Sequence, residues 1–424
     1  MKSLSALAVK TLKPEKANRT GLKWLTLFII HYSLSIFHYS PAQNLSPQAK
    51  VSLITVLPGE ALYSSFGHTA IRINDPANGI DQQYGWGTFD FDTDNFYVKF
   101  LRGTLPYWIT GSDMYRFLYA YQRENRTVRE QVLNLTDAQK QRLFAVIQEN
   151  MRPENRTYQY KFYYDNCSTR PRDVLVRAAA DSIRFSPAAL DTTRSFREWM
   201  NDYLGGKPWA RFGMNLGVGR PADERNSGWV AMWLPMNVFT QFEKASILTP
   251  SGRTLPLVAQ TQTLFEALPQ ESTRSWTDVL LSPGGVFTLA LLLVGWLTYR
   301  QHRQGRRGFS LDRLLFGFLG FWGWFLFLLW VATDHGVTAW NPALLMLMPL
   351  HLPLIFWISR PGNEKYIGAY FALTAVLAVL FYVYAVWHGY AFGLFPLLLL
   401  ILVRCFHQVR YDSVIQQSTT RTLS

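Results

Sequence analysis

Short hydrophobic runs, broken by turn residues, fill the first two thirds of the chain. Residues 51–57 alternate apolar and polar positions like a half-buried strand and stop at Pro58-Gly59. Residues 66–74 and 83–92 are rich in β-branched and aromatic side chains. They are joined through Asp75-Pro76-Ala77-Asn78-Gly79, which predicts a hairpin. Residues 113–122 predict a helix with a wide aromatic face, and residues 126–135 return to extended structure. Thr136 is a good N-cap for a helix through Asn150. Residues 158–164 read as a strand and 168–181 as a helix. These elements mix without βαβ regularity, so an α+β domain is expected. Residues 204–228 are Gly-rich and punctuated by proline, which predicts a long ordered loop near the membrane. Gly205-Gly206-Lys207 is no phosphate loop, because Pro208 stands where Ser or Thr is needed.

From about residue 279 the pattern changes. Five apolar runs follow, at 279–299, 314–332, 342–358, 367–387 and 390–406. The third and fifth are short and contain Pro353 and Pro396, which membrane helices tolerate when neighbours re-satisfy the freed carbonyl. Near the start, Lys2 to Lys23 form a basic segment. A mostly apolar run at 24–37 and Pro41-Ala42 follow, the pattern of a signal peptide or signal anchor over 1–42. The expected organisation is therefore 1–42 as signal peptide or signal anchor, 43–278 as an extracytoplasmic domain, 279–406 as five transmembrane helices and 407–424 as a cytoplasmic tail.

Charge changes the picture by where it falls. The net charge is +13, with charged residues at only 17%. Residues 1–42 hold six Lys or Arg against one acid, and 280–424 hold ten against four. The excess thus lies beside the apolar runs, which argues against a nucleic-acid-binding face. Loops 300–313 and 359–366, with the end of the last run and the tail (Arg404, Arg410 and Arg421), hold all ten of those cations, while loops 333–341 and 388–389 hold none. By the positive-inside bias the former are cytoplasmic and residues 43–278 lie outside. An aromatic content of 15% excludes disorder as a main theme. Two cysteines, Cys167 and Cys405, exclude a disulfide framework and a thiolate-rich metal site. The crowded aromatics of the second run, among them Trp322 and Trp324, read first as lipid-facing bulk. His351, inside the third run, reads first as a histidine bonded to a neighbouring carbonyl.

The chemistry centres on Cys167. Asp165, Asn166 and Ser168 are helix-capping types and Pro171 suits a first turn, so Cys167 lies at or one residue before a helix start. Unpaired N–H groups there, with Arg170 and Arg172 nearby, are expected to lower the thiol pKa. A thiol nucleophile needs a base, and His68 is the one histidine within 43–278. A third group to orient the imidazole is less determined. Hairpin register places residues near 87 opposite His68, which makes Asp90 a candidate, with Thr88, Asp75 and Asp165 as alternatives.

The strings FGHTAIRI, YGWGTFDFD and YYDNCSTRPRD, in that order, resemble the Lnb N-terminal periplasmic domain, and the five apolar runs resemble the five-helix Lnb membrane domain. The strand histidine and the later Asn-Cys at a helix start are similar to permuted papain-like folds. The resemblance implies an α+β permuted papain-like extracytoplasmic domain followed by an all-α five-helix transmembrane domain in a bacterial inner membrane. It implies a lipoprotein N-acyltransferase with Cys167 as nucleophile, His68 as base and Asp90 in a less defined role. A phospholipid is the implied acyl donor, and the S-diacylglyceryl-cysteine α-amine of an apolipoprotein the acceptor. Backbone N–H groups at the helix start are the expected oxyanion donors. No metal, nucleotide or other cofactor is implied. The rival readings are a membrane-anchored thiol hydrolase, either phospholipase or cell-wall amidase, and a non-catalytic membrane adaptor.

Overall fold

The computed structural model describes residues 44–269, 275–305 and 307–422, with side chains as far as Tyr411. The expected signal segment at 1–42 lies outside the described residues.

A sheet-rich domain comes first. Its strands are β1 (Lys50–Val56), β2 (His68–Asp75), β3 (Ile80–Thr88), β4 (Pro106–Asp113), β5 (Val128–Leu133) and β6 (Thr157–Gln159). After the short strands β7 (Ile183–Arg184), β8 (Ser246–Leu248) and β9 (Thr254–Pro256) comes β10 (Val258–Phe265). The main sheet runs β10-β5-β1-β2-β3-β4-β6, with every neighbouring pair antiparallel. The helices of this domain are α1 (Phe96–Arg102), α2 (Met114–Arg123), α3 (Asp137–Met151), α4 (Thr169–Ala179), α5 (Phe196–Asp202), α6 (Pro208–Gly217), α7 (Gly228–Ala231) and α8 (Pro235–Glu243). Alternation along the strands decides the packing. Leu53, Ile71, Ile73 and Trp86 join Leu143 of α3 and Leu175 of α4 in one core. Ile54, Val56 and Ala70 point the other way and pack against Met114 and Phe117 of α2.

Most expected elements form at the expected places because their signals are local. Thr136 caps α3 through a reciprocal capping box with Gln139. Asp113 caps α2 by accepting from the Tyr115 N–H. The hairpin turns at Gly79, whose φ of +65° suits glycine. Two local readings differ. Residues 158–164 form a strand only as far as Gln159, and then turn. Residues 204–228 are not simply a loop: Pro208 opens α6 at a position where its missing N–H is harmless. Phe212 and Leu216 of α6 pack into the core of the helical region that follows.

That region contains α9 (Trp276–Leu280), α10 (Pro283–Arg303), α11 (Ser310–Val331), α12 (His351–Ile358), α13 (Ile367–Trp387) and α14 (Leu394–Thr422). Among the described residues, three helices are long and apolar enough to cross a membrane: Ser310–Val331, Glu364–Trp387 and Leu394–Tyr411. The third apolar run is not one helix. A 3-10 turn at Pro342–Leu345 precedes the eight-residue α12. Glycines of α11 allow this irregular segment to lie close: a Cβ on Gly323 would stand 1.9 Å from the Leu347 carbonyl oxygen, and one on Gly320 2.3 Å from the Leu352 nitrogen. His351 is structural, bonded to the Tyr370 hydroxyl at 2.8 Å and the Met346 carbonyl at 3.3 Å. Phe321, Trp322 and Trp324 are exposed on the helix surface. Cys405 is buried in the helical core.

Candidate active site

The thiol end of the sheet domain sits against the helical region. Residues 333–341, between α11 and the 3-10 turn, bond to it repeatedly. The Asp334 N–H donates to the Arg102 carbonyl at 2.8 Å, the Gly219 N–H to the Val337 carbonyl at 2.7 Å, and the Lys161 ammonium to the Asp334 carbonyl. At the other end of α11, Arg313 donates to Ser359 Oγ at 2.8 Å, so the broken third run travels the length of α11.

Cys167 lies in the turn that leads into α4. The turn is built around Asn166, whose Oδ1 accepts from the N–H groups of Ser168 and Thr169 at 2.8 and 3.0 Å. Its Nδ2 donates to the carbonyls of Phe162 and Trp233. These bonds fix the turn, and they occupy two of the amides expected to serve as oxyanion donors. The Ser168 hydroxyl, the Thr69 N–H and the Tyr160 hydroxyl are the neighbouring groups that favour the charged form of the thiol.

His68 opens β2, directly before Thr69, and pairs with Val56 of β1. The register Ala70↔Gly85 directs His68 toward Gly87, where β3 bulges between Trp86 and Thr88. Two alternate glycines of β3 border the pair. A Cβ on Gly85 would stand 2.9 Å from His68 Nε2, and one on Gly87 3.3 Å from Cys167 Cβ. The structure therefore brings Cys167 and His68 into one neighbourhood, with no hydrogen bond between sulfur and imidazole among the described residues.

Electrostatics differ from the expectation of an activated thiolate. Burial pushes the Cys167 thiol up from its ordinary 9.0, and its hydrogen bonds act in the opposite sense. Burial, then the Arg126 guanidinium, lowers His68 from 6.5 to about 4. Burial raises the Tyr160 phenol well above its ordinary value, so it keeps its proton as a donor. Arg170 and Arg172 do not serve the thiol. Arg170 forms a bidentate pair with Asp165 at 2.5 and 2.6 Å, and Arg172 pairs with Asp173 at 2.7 Å.

None of the expected carboxylates reaches His68. Asp90 is exposed in the turn past β3, where its Oδ1 accepts from the Asp92 N–H at 2.9 Å. Asp75 is held by Ser46 and Asn78 at the far end of the hairpin, and Asp165 by Arg170. Thr88 shares a hydrogen bond with Thr110 at 2.9 Å. The sequence reading missed Gln83. It lies two residues before Gly85, is 5% exposed, and donates through Nε2 to Ser112 Oγ at 2.8 Å. Its Oε1 is buried without a hydrogen-bond partner among the described residues and would lie 3.4 Å from the same Gly85 Cβ that approaches His68 Nε2. Alternation along β3 was the available signal: Gln83, Gly85 and Gly87 occupy every second position.

A sheet domain with a half-buried cysteine and histidine close together, seated against a region with helices long and apolar enough to cross a membrane, defines the class: a membrane protein with a folded domain outside its spans. Residues 39–198 match the family model of the Lnb N-terminal periplasmic domain, and residues 273–413 that of the Lnb transmembrane domain. The chain carries both parts in order and belongs to the Lnb family, as an inner-membrane, lipoprotein-processing protein with a periplasmic domain. No curated protein and no solved structure matches it.

Proposed function

We propose that the protein is a lipoprotein N-acyltransferase in which Cys167 carries the acyl group. The observation that bears most weight is the joint placement of Cys167 and His68 against Gly85 and Gly87, at the end of the domain that meets the membrane helices. We read the sheet domain as permuted papain-like and residues 43–278 as periplasmic. The helical region makes five crossings, the third through the broken segment, and ends in the cytoplasm.

The lowered pKa of His68 leaves the imidazole neutral at physiological pH, and the raised pKa of Cys167 leaves the thiol protonated. The pair therefore acts by general base catalysis, not as a standing ion pair. As Cys167 Sγ attacks the ester carbonyl of a phospholipid, its proton passes to His68. We assign the Tyr160 hydroxyl and the Cys167 N–H as donors to the developing oxyanion. The C–O bond then breaks, His68 returns the proton to the departing lysophospholipid oxygen, and a thioester remains. The α-amine of the diacylglyceryl-cysteine attacks that thioester. The C–S bond breaks, the amine proton returns through His68 to sulfur, and an amide forms. In the reacting state we assign Gln83 Oε1, unpartnered among the described residues and on the same face near His68 Nε2, to accept the Nε2 proton and leave Nδ1 as the base, the orienting role that the sequence suggested for Asp90.

The test is mass spectrometry of the purified full chain in phospholipid vesicles, followed by addition of a diacylated lipopeptide. An acyl adduct on Cys167, discharged onto the peptide amine, is expected. It should be absent in Cys167→Ala protein that still folds and inserts. Release of free fatty acid with no transfer to the amine would favour a phospholipase, and unmodified Cys167 with unchanged function in Cys167→Ala an adaptor.

A further inference from the structure

The periplasmic domain carries a large apolar surface that its own fold leaves uncovered. Tyr97, Val98, Phe100 and Leu101 of α1, with Phe91 before it, are between 44% and 77% exposed. Soluble surfaces rarely gather so many large apolar groups without a partner. In α1, Tyr97, Phe100 and Leu101 fall at i, i+3 and i+4 and form one stripe.

The position of α1 indicates what covers it. Its C-terminal end is tied to the turn that joins two membrane segments: the Leu101 carbonyl meets His335 Nε2 at 3.0 Å and the Arg102 carbonyl accepts from the Asp334 N–H at 2.8 Å. Gly103, with φ of +68°, makes the approach close, since a Cβ there would stand 3.1 Å from the His335 nitrogen. The same turn carries Trp340, 68% exposed and 4.8 Å from the Trp330 ring. Tryptophans at the ends of spanning helices mark the membrane–water interface. The stripe of α1 is thus continuous with the rim of the membrane helices.

A path of rings leads inward from it. Phe96 of α1 lies 6.0 Å from Phe89, Phe89 lies 5.4 Å from Tyr107, and Tyr107 lies 4.6 Å from Tyr160, whose ring lies beside Cys167: a Cβ on Gly87 would meet both, at 3.5 and 3.3 Å. We infer that α1 rests in the outer leaflet of the membrane and that an acyl chain reaches Cys167 along the Phe89–Tyr107–Tyr160 face. This rests on the acyltransferase reading for the destination of the chain, while the contact of α1 with lipid stands apart from it.

The test uses the full chain in phosphatidylcholine vesicles. Replacing Tyr97 with the photoreactive p-benzoylphenylalanine should give a lipid adduct on irradiation, and the same group at Gln260, on the opposite edge strand, should give none. The double variant Tyr97→Asp, Phe100→Asp should acylate Cys167 from vesicle phospholipid at least tenfold more slowly. Its alkylation by soluble iodoacetamide should be unchanged. Absence of a lipid adduct at position 97, or unaltered acylation in the double variant, overturns the inference. Should the unaltered protein show no acylation at all, the proposed function fails and the crosslink alone judges α1.

Discussion

At the residue scale, desolvation favours the neutral forms of the proposed pair, Cys167 and His68. This sets a test of the chemistry. Alkylation of Cys167 by iodoacetamide, followed by peptide mass spectrometry, should rise with pH toward a midpoint above 9, because burial raises the thiol. A plateau reached below pH 8 would contradict it. The acid side follows from His68. Folded, it takes its proton only near pH 4, whereas an exposed histidine does so near 6.5. Unfolding therefore takes up a proton between those values, and stability contributed by the neutral ring is lost as pH falls through that window. Acylation should correspondingly persist at pH 5.5 and decline only toward 4. Gln83 supplies a second test. Gln83→Leu should lower acylation about a hundredfold, the lower end of what a positioned base contributes. Gln83→Glu should restore part of the rate while moving the acid limb upward, since a carboxylate favours the charged imidazole. Equal loss in both variants with unmoved pH profiles would assign Gln83 a purely structural part. His68 and Cys167 stood out in the sequence by scarcity, as the one histidine of the domain and a lone exported thiol. Gln83 did not, because an amide among many gains meaning only once register sets it beside His68.

At the element scale, the bulge in β3 and the broken third apolar run both depend on glycine. Gly87 has φ of +98°, and a side chain there would press on Cys167. Gly87→Ala is expected to cost about 1–3 kcal/mol from backbone strain, read as a lower thermal midpoint in detergent, together with slower acylation. In α11 the contrast lies between neighbours. Gly323→Ala places a carbon against the Leu347 backbone, while Gly295→Ala in α10 meets nothing within 4 Å. The first should destabilise by about 1–3 kcal/mol through overpacking, and the second should be neutral or stabilising. Equal midpoints for both would refute the close-approach account. The hydropathy of residues 342–358 indicated an apolar stretch but not its break, which depends on how the irregular backbone is received by α11. The same holds for α6: glycines and prolines suggested a loop, and packing of Phe212 and Leu216 against the membrane helices made one part a helix.

At the scale of the whole molecule, the helical region meets the sheet domain at a buried ion pair within that domain. Arg197 of α5 is fully buried, donates to Asp223 Oδ1 at 2.6 Å, and lies 3.9 Å from the Tyr390 ring. From the helical region, the Tyr384 hydroxyl donates to Asp223 at 2.8 Å, and His388 Nδ1 lies 3.6 Å away. Arg197→Met leaves the Asp223 charge buried without its partner and should cost about 3–5 kcal/mol, measured by thermal unfolding of the detergent-solubilised chain. Arg152→Met, which removes an exposed pair with Glu149, should cost less than 1 kcal/mol. Combining Arg197→Met with Asp223→Leu should recover much of the loss, because no orphaned charge remains.

The sequence by itself determined what local pattern and composition can determine: the alternating strands, the capped helices, the apolar runs, and the rarity of His68 and Cys167. Each is a property of a short segment or of a count, so it exists before the chain folds. Tertiary structure decided which side of β3 faces the imidazole, which amides Asn166 consumes, how α11 receives the broken run, and whether burial or the helix terminus governs the thiol. Those outcomes depend on distances between segments far apart in the chain, and such distances exist only once the domain has packed.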